Sequence, residues 1–158
     1  MRKTLANISF DNVLEVGCGT GKNTARLIEI AKHVTAIDLS KEMLTKAREK
    51  IKSTHVQFLQ TDITNEWIFT NQLYDLISFS LVLEHIENPD YVFNEASKKL
   101  TDSGHVYIGE LHPFKQYIGT KARFDTEEGQ QVITCFNHHI SEFNRAAKKY
   151  GLMTVGYR

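Results

Sequence analysis

Val13-Leu14-Glu15-Val16-Gly17-Cys18-Gly19-Thr20-Gly21 reads as a buried strand running into a glycine loop, and this reading decides the fold. Three glycines at alternate positions remove every second Cβ from the turn. Positive φ angles become accessible, and ligand atoms can approach the main-chain N–H groups. Two nucleotide-loop patterns fail on inspection. The dinucleotide fingerprint needs a further glycine where this chain has Lys22. The triphosphate-cradling loop needs four residues between its first glycine and a Gly-Lys pair followed by Ser or Thr. Here three residues separate Gly17 from Gly21-Lys22, and Asn23 follows.

Outward from the loop, strands alternate with helices. Apolar runs predict strands at 13–17, 34–37, 56–59, 74–79 and 106–108, with Gly104 breaking the chain before the fifth, and a last strand at Leu152 to Tyr157. Ala25, Leu27, Ile28 and Ile30 mark a helix over 22–31. Ser40 opens another with Met43, Leu44 and Ala47 facing inward, and residues 90–100 carry Val92, Phe93, Ala96 and Leu100 at helical spacing. Ser141 caps a helix that Gly151 stops. The link containing Trp67 is ambiguous. The stretch from Leu111 to Asn137 fits equally a substrate-covering insertion or an antiparallel edge. The order implies one domain over 1–158, a three-layer α/β/α sandwich with a mostly parallel sheet.

Composition adds bounds. A chain of 158 residues, 41% hydrophobic and 24% charged with a formal net charge of zero, can bury a real core and carries no global field for nucleic acid or an acidic membrane. Cys18 and Cys135 are too few for a disulfide framework, and no N-terminal apolar run long enough for export is seen, so a cytoplasmic location is expected.

In open α/β sheets ligands bind beyond the carboxyl ends of the strands. Asp38 stands there, 21 residues after Gly17, a spacing at which a carboxylate accepts both ribose hydroxyls. Asp62 is its counterpart on the third strand, able to accept from an exocyclic amine while Ile63 packs on the ring. Each also has a purely local reading as a helix cap or turn former. The glycine loop beside them favours ligand contact.

The string Glu15-Val16-Gly17-Cys18-Gly19-Thr20-Gly21, with Asp38, Asp62 and Tyr74-Asp75-Leu76-Ile77-Ser78-Phe79-Ser80-Leu81-Val82-Leu83-Glu84-His85-Ile86, resembles the class I methyltransferases that use S-adenosylmethionine. The likeness covers about residues 10–110. It implies a Rossmann-like fold in which Gly17, Cys18, Gly19 and Gly21 pass along the methionine part of the cofactor, with Glu15 beneath. Asp38 would hold the ribose, Leu39 and Met43 would approach the adenine, and Asp62 with Ile63 would frame its other side. Phe79 and Ser80 would wall the sulfonium, and Glu84 and His85 occupy a segment that faces the acceptor in small-molecule members. Two departures stand out. Only about twelve residues precede the first strand, where the family carries a closing helical segment, and no sequence is left for its seventh, antiparallel strand. Either this is a natural minimal form or the chain is a fragment of a longer protein; a sheet so shortened would leave unpaired edges, a route to a homodimer.

Methyl transfer from a sulfonium asks for in-line geometry, exclusion of water and, for some acceptors, a base within hydrogen-bond reach. His85 and His112 are the histidines nearest strand carboxyl ends, and Glu110 shares the fifth with His112. Each histidine has an alternative as a turn or capping residue. His138-His139 do not make a metal site, because adjacent side chains diverge and no ligand set accompanies them, so no metal is expected. Cys18 reads as a small residue fitting beneath the cofactor. The expected partner is a small-molecule acceptor, with neither nucleic acid nor membrane. Two alternatives remain open, a catalytically silent S-adenosylmethionine-binding interaction module and a dinucleotide-binding oxidoreductase.

Overall fold

The computed structural model describes residues 5, 8–110, 123–126, 129–132 and 135–156. Five parallel strands form one sheet: β1 (Phe10–Val16), β2 (Ala31–Asp38), β3 (Val56–Gln60), β4 (Tyr74–Ser80) and β5 (Leu100–Gly109), in the order β3-β2-β1-β4-β5. The chain lays β1, β2 and β3 outward in one direction and then crosses back over β1 to place β4 and β5. The connection therefore reverses between β1 and β4, the position beyond whose strand carboxyl ends open α/β sheets bind ligands.

Side chains of a strand alternate between faces, and β1 shows both layers. Leu14 and Val16 join Ile37, Ile77 and Phe79 against Val92, Phe93 and Ala96 of helix α3 (Pro89–Lys98) and Ala146 of helix α4 (Ile140–Lys149). Val13 joins Val34, Ala36 and Leu76 against Leu27 of helix α1 (Thr24–Leu27) and Leu44 of helix α2 (Lys41–Lys50). The expected α/β/α sandwich is thus present, with a buried apolar cluster on each face.

Several boundaries differ from the sequence reading for identifiable reasons. The helix expected over 22–31 shrinks to Thr24–Leu27, because the chain re-enters the sheet at Ala31, opposite Phe10. Gly104 lies inside β5 and does not precede it. A step of two residues on β4, Tyr74 to Leu76, is matched by five on β5, Leu100 to His105, so the extra residues bulge. A Cβ at Gly104 would sit 3.0 Å from both Thr101 O and Tyr74 O, and this backbone crowding explains the glycine.

Helix α4 is capped by His139, whose Nδ1 accepts from Ser141 N–H at 3.2 Å, and not by Ser141 itself. Gly151 stops it as expected, with φ +78°. Residues 152–156 form no strand. A strand exists only with a ladder partner, none of the five sheet strands pairs here, and Met153 and Val155 are 89% and 93% exposed. Within the ambiguous 111–137 region, β6 (Arg123–Thr126) and β7 (Gly129–Val132) pair antiparallel as a separate two-stranded sheet and not as an edge of the main one. Among the described residues no helix is long and apolar enough to cross a membrane.

The Trp67 link is a buried tie between layers. The Trp67 ring is 1% exposed, its Nε1–H donates to Ile63 O at 3.1 Å, and its backbone N–H donates to Glu95 Oε2 of α3 at 3.0 Å. Trp67→Ala should lower unfolding free energy by about 3–5 kcal/mol in urea denaturation. A loss below about 1 kcal/mol would show that the link is not part of the core.

Candidate functional site

The site grows from the end of β1. Gly17 and Cys18 N–H both donate to Ile37 O of β2, at 2.9 and 3.0 Å, and Gly21 N–H closes the loop onto Cys18 O at 2.9 Å. Gly17, Gly19 and Gly21 all take positive φ, +70°, +52° and +77°. Their surroundings differ. A Cβ at Gly17 would lie 2.0 Å from Val82 Cγ2, and one at Gly21 would lie 2.6 Å from Ile51 Cδ1, whereas one at Gly19 would meet nothing within 4 Å. Gly17 and Gly21 are therefore glycines for packing. Gly19 lines open space.

Asp38, the last residue of β2, reaches that loop. Its Oδ2 accepts Gly19 N–H at 2.7 Å and its Oδ1 accepts Ser40 N–H at 2.9 Å. The turn-forming reading of Asp38 is thus realised. A carboxylate offers about four lone-pair sites, so two stay open for a ligand. Ser40 Oγ caps α2 by accepting Met43 N–H at 3.2 Å, which sets half-buried Met43 beside 65% exposed Leu39. Thr61 N–H donates to Asp38 O at 3.1 Å and draws the end of β3 alongside. There Asp62 Oδ1 accepts Thr64 N–H and Oγ1–H at 2.9 and 2.7 Å. Asp38, Leu39, Met43 and Asp62 are gathered at one edge. Ile63 is not among them, since its side chain lies in the α3-side core with Trp67, and Phe79, 2% exposed, lies in the same cluster.

Beneath the loop Glu15 is 2% exposed, and its Oε2 accepts the Thr24 hydroxyl at the start of α1. Burial pushes its carboxyl up to about 7, reinforced by the nearby Asp38 charge and opposed by the Thr24 hydrogen bond. Cys18 is also buried. Burial, then Glu15 and Asp38, drive its thiol well above the ordinary range, so it stays protonated and behaves as a small packing residue.

On the β4 side of the reversal, Ser80 ends β4 and Leu81 turns the chain with φ +58°, the only positive φ of a non-glycine among the described residues. Leu81 N–H donates to Gly109 O at 2.9 Å. Val82, which abuts Gly17, and Leu83 both donate backbone N–H to Glu110 Oε1 at 3.0 Å. Burial raises the Glu110 carboxyl, the Glu84 charge raises it further, and these amides oppose the rise. The 3-10 turn Leu83–His85 then presents Glu84, 5% exposed, and His85, whose Nε2 lies 3.8 Å from Glu84 Oε1 and whose Nδ1 lies 3.8 Å from Cys135 Sγ. Phe136 N–H donates to Glu84 O at 2.7 Å and docks the segment before α4 here. His112 lies outside the described residues. Among the described residues no cluster of His, Cys, Asp and Glu could hold a metal ion.

Thr24 and Val82 are positioning residues to which the sequence assigns no role, and Glu110, noted beside His112 at the end of the fifth strand, acts by holding Val82 and Leu83. The rule that selects Asp38 and Asp62, an acid just beyond a strand's carboxyl end, selects Glu110 as well. Thr24 and Val82 carry no local signal.

A family model described as "Methyltransferase domain" matches residues 14–108. The ubiquinone biosynthesis O-methyltransferase of Vibrio atlanticus is 32% identical over 139 residues, covering 86% of this chain and 58% of that protein. An S-adenosylmethionine-dependent methyltransferase from Clostridium acetobutylicum superposes with TM-score 0.76 at 22% identity, over 94% of this chain and 76% of that one. The N-methyltransferase NodS from Bradyrhizobium japonicum, in complex with S-adenosylhomocysteine, superposes with TM-score 0.71 at 22% identity, over 93% and 69%. The chain spans about half the length of the curated relatives it matches.

The two kinds of glycine should separate in a melting experiment. Gly17→Ala, driven into Val82, should lower Tm well beyond Gly19→Ala, whose loss is limited to the left-handed backbone strain of about 1–2 kcal/mol. Equal losses would contradict the assignment.

Proposed function

Because the chain belongs to the methyltransferase domain family, whose model spans residues 14–108, we propose that it moves a methyl group from S-adenosylmethionine to an oxygen, nitrogen or carbon atom of a small-molecule acceptor. One observation carries the cofactor reading: Gly19 stands at positive φ with open space against its main chain, its N–H fastened to Asp38. A side chain there would fill the cradle a ligand needs. The carboxylates of Glu15, Asp38, Asp62, Glu84 and Glu110, all near strand carboxyl ends, suit a ligand with a cationic sulfur and an ammonium group. The complex of NodS with S-adenosylhomocysteine supports the same ligand class.

When bound, the cofactor supplies a methyl carbon on a sulfonium, with a neutral thioether as leaving group. The chain's work is placement. The loop from Gly17 to Gly21 holds the amino-acid end, with Glu15 beneath it; Asp38 accepts from the ribose hydroxyls; Leu39 and Met43 flank the base, and Asp62 accepts from its amine. Ser80 borders the reacting sulfur. On the acceptor side His85, next to Glu84, takes the proton of an O–H or N–H nucleophile. Orientation of this kind contributes up to about 7–11 kcal/mol to a bimolecular step.

Calorimetric titration with S-adenosylmethionine should give saturable one-to-one binding. Asp38→Asn, which removes the charge with little change of shape, should weaken it about 10-fold or more; undiminished affinity would remove Asp38 from the ligand site. The buried acid adds a pH signature. Glu15 is protonated below about 7 in the free protein, and a cationic ligand favours its ionised form. Affinity should therefore be highest above pH 7 and fall as pH drops through that value, by up to about 10-fold per unit, and Glu15→Gln should flatten the profile. A wild-type profile flat from pH 6 to 8 would rule out coupling between Glu15 and the ligand.

A further inference from the structure

Beneath the glycine loop one buried hydroxyl has no counterpart in the protein. Ser78 of β4 is 0% exposed, and its Oγ makes no hydrogen bond. Buried polar groups are almost always paired, and an orphan disfavours the state in which it is orphaned.

The register locates it. Ser78 is paired directly with Glu15 on β1 and with Tyr107 on β5. Registered residues of parallel strands, one strand spacing or about 4.8 Å apart, project to the same face. That face is the one carrying α1 and α2, since Leu76, two residues before Ser78, and Tyr107 both pack into its cluster. On the other side of Glu15 the same row continues as Ala36 and then Phe58, which are apolar. The polar half of the row is confined to β1, β4 and β5, beside the point where the strand order reverses and directly under Gly17 and Ser80.

Glu15 is accounted for within the protein by Thr24. Ser78 is not, and no packing need calls for a hydroxyl there, because alanine would fill nearly the same space. We propose that Ser78 is a ligand-reading residue: with Glu15 it forms a polar floor that recognises the ammonium of an amino-acid end carried by the nucleoside ligand, Ser78 Oγ accepting its N–H directly or through one bridging water. A bridging water needs two to four polar partners, and Ser78, Glu15 and the ammonium supply three. The assignment rests on the S-adenosylmethionine reading and deepens it, because it makes the amino-acid end the part that Ser78 discriminates.

The test compares two probes with the same nucleoside and sulfur, S-adenosylhomocysteine, which has the amino-acid end, and methylthioadenosine, which lacks it. Affinities and apo melting temperatures are measured for wild type, Ser78→Ala and Ser78→Cys, the last keeping the shape while weakening the hydrogen bond. Both variants should bind S-adenosylhomocysteine about 10-fold more weakly, bind methylthioadenosine as wild type does, and melt no lower than wild type when empty. Loss of affinity for both probes alike, for neither, or a lowered apo melting temperature in both variants would overturn the role of Ser78 while leaving the cofactor reading intact. Wild type binding neither probe would overturn the cofactor reading and this assignment together.

Discussion

The carboxylate of Asp38 is the joint on which the site depends. Its two oxygens hold Gly19 N–H and Ser40 N–H, and so connect the loop after β1 to the start of α2 through the end of β2. Charge-assisted bonds of this kind are the strong ones, about 1.5–3 kcal/mol each. They act on a part of the chain that is costly to order, since each glycine loses more conformational entropy on ordering than any other residue type. Ile37 O reinforces the joint by accepting from Gly17 and Cys18. The shape of the cradle is set by the neighbouring strand as much as by the loop.

A second joint lies on the β4 side of the reversal. Glu110, just past β5, holds Val82 and Leu83, and Val82 presses on the face of Gly17 that has no Cβ. The glycine loop and the turn after β4 therefore share a contact, and neither can shift far without the other. Leu81 keeps a left-handed conformation within this joint, between Ser80 at the end of β4 and the clamped Val82. Glycine would adopt that conformation without strain. Carboxyls raised by burial sit on both sides, Glu15 under the loop and Glu110 under the turn. The two joints thus carry acids whose ionised forms a cationic ligand would stabilise.

What could be read in the sequence was what local pattern dictates. The first four strands, the Ser40 cap and the stop at Gly151 follow from apolar runs and from residues with one dominant local use. What could not be read depends on partners distant in sequence. Gly104 looks like a break until Tyr74 O is seen to crowd it from β4. Residues 152–156 have strand composition, but composition supplies no ladder partner. His139 takes the cap from Ser141 because its ring Nδ1 reaches the N–H two residues ahead. Of the candidate site, Asp38 and the glycines could be found by spacing alone. Phe79 belongs to the sheet face opposite Glu15, which a periodicity of two would indicate only once the burial of both faces is known, and Ile63, in the turn past β3, joins the same cluster through partners distant in sequence. Thr24 and Val82 matter only through the residues they meet, and Ser78 only through the register that sets it beside Glu15.

On the proposed function, the Gly19–Asp38 joint is the rim of a cofactor cradle at the β1–β4 reversal. Amide chemical shifts during titration with S-adenosylhomocysteine test it most directly. Saturating shifts concentrated at Gly17, Gly19, Asp38 and Ser40, with Gly104 in the β5 bulge unmoved, are the predicted result. Saturation with those amides unmoved, or no saturable shift in a folded sample, would contradict it.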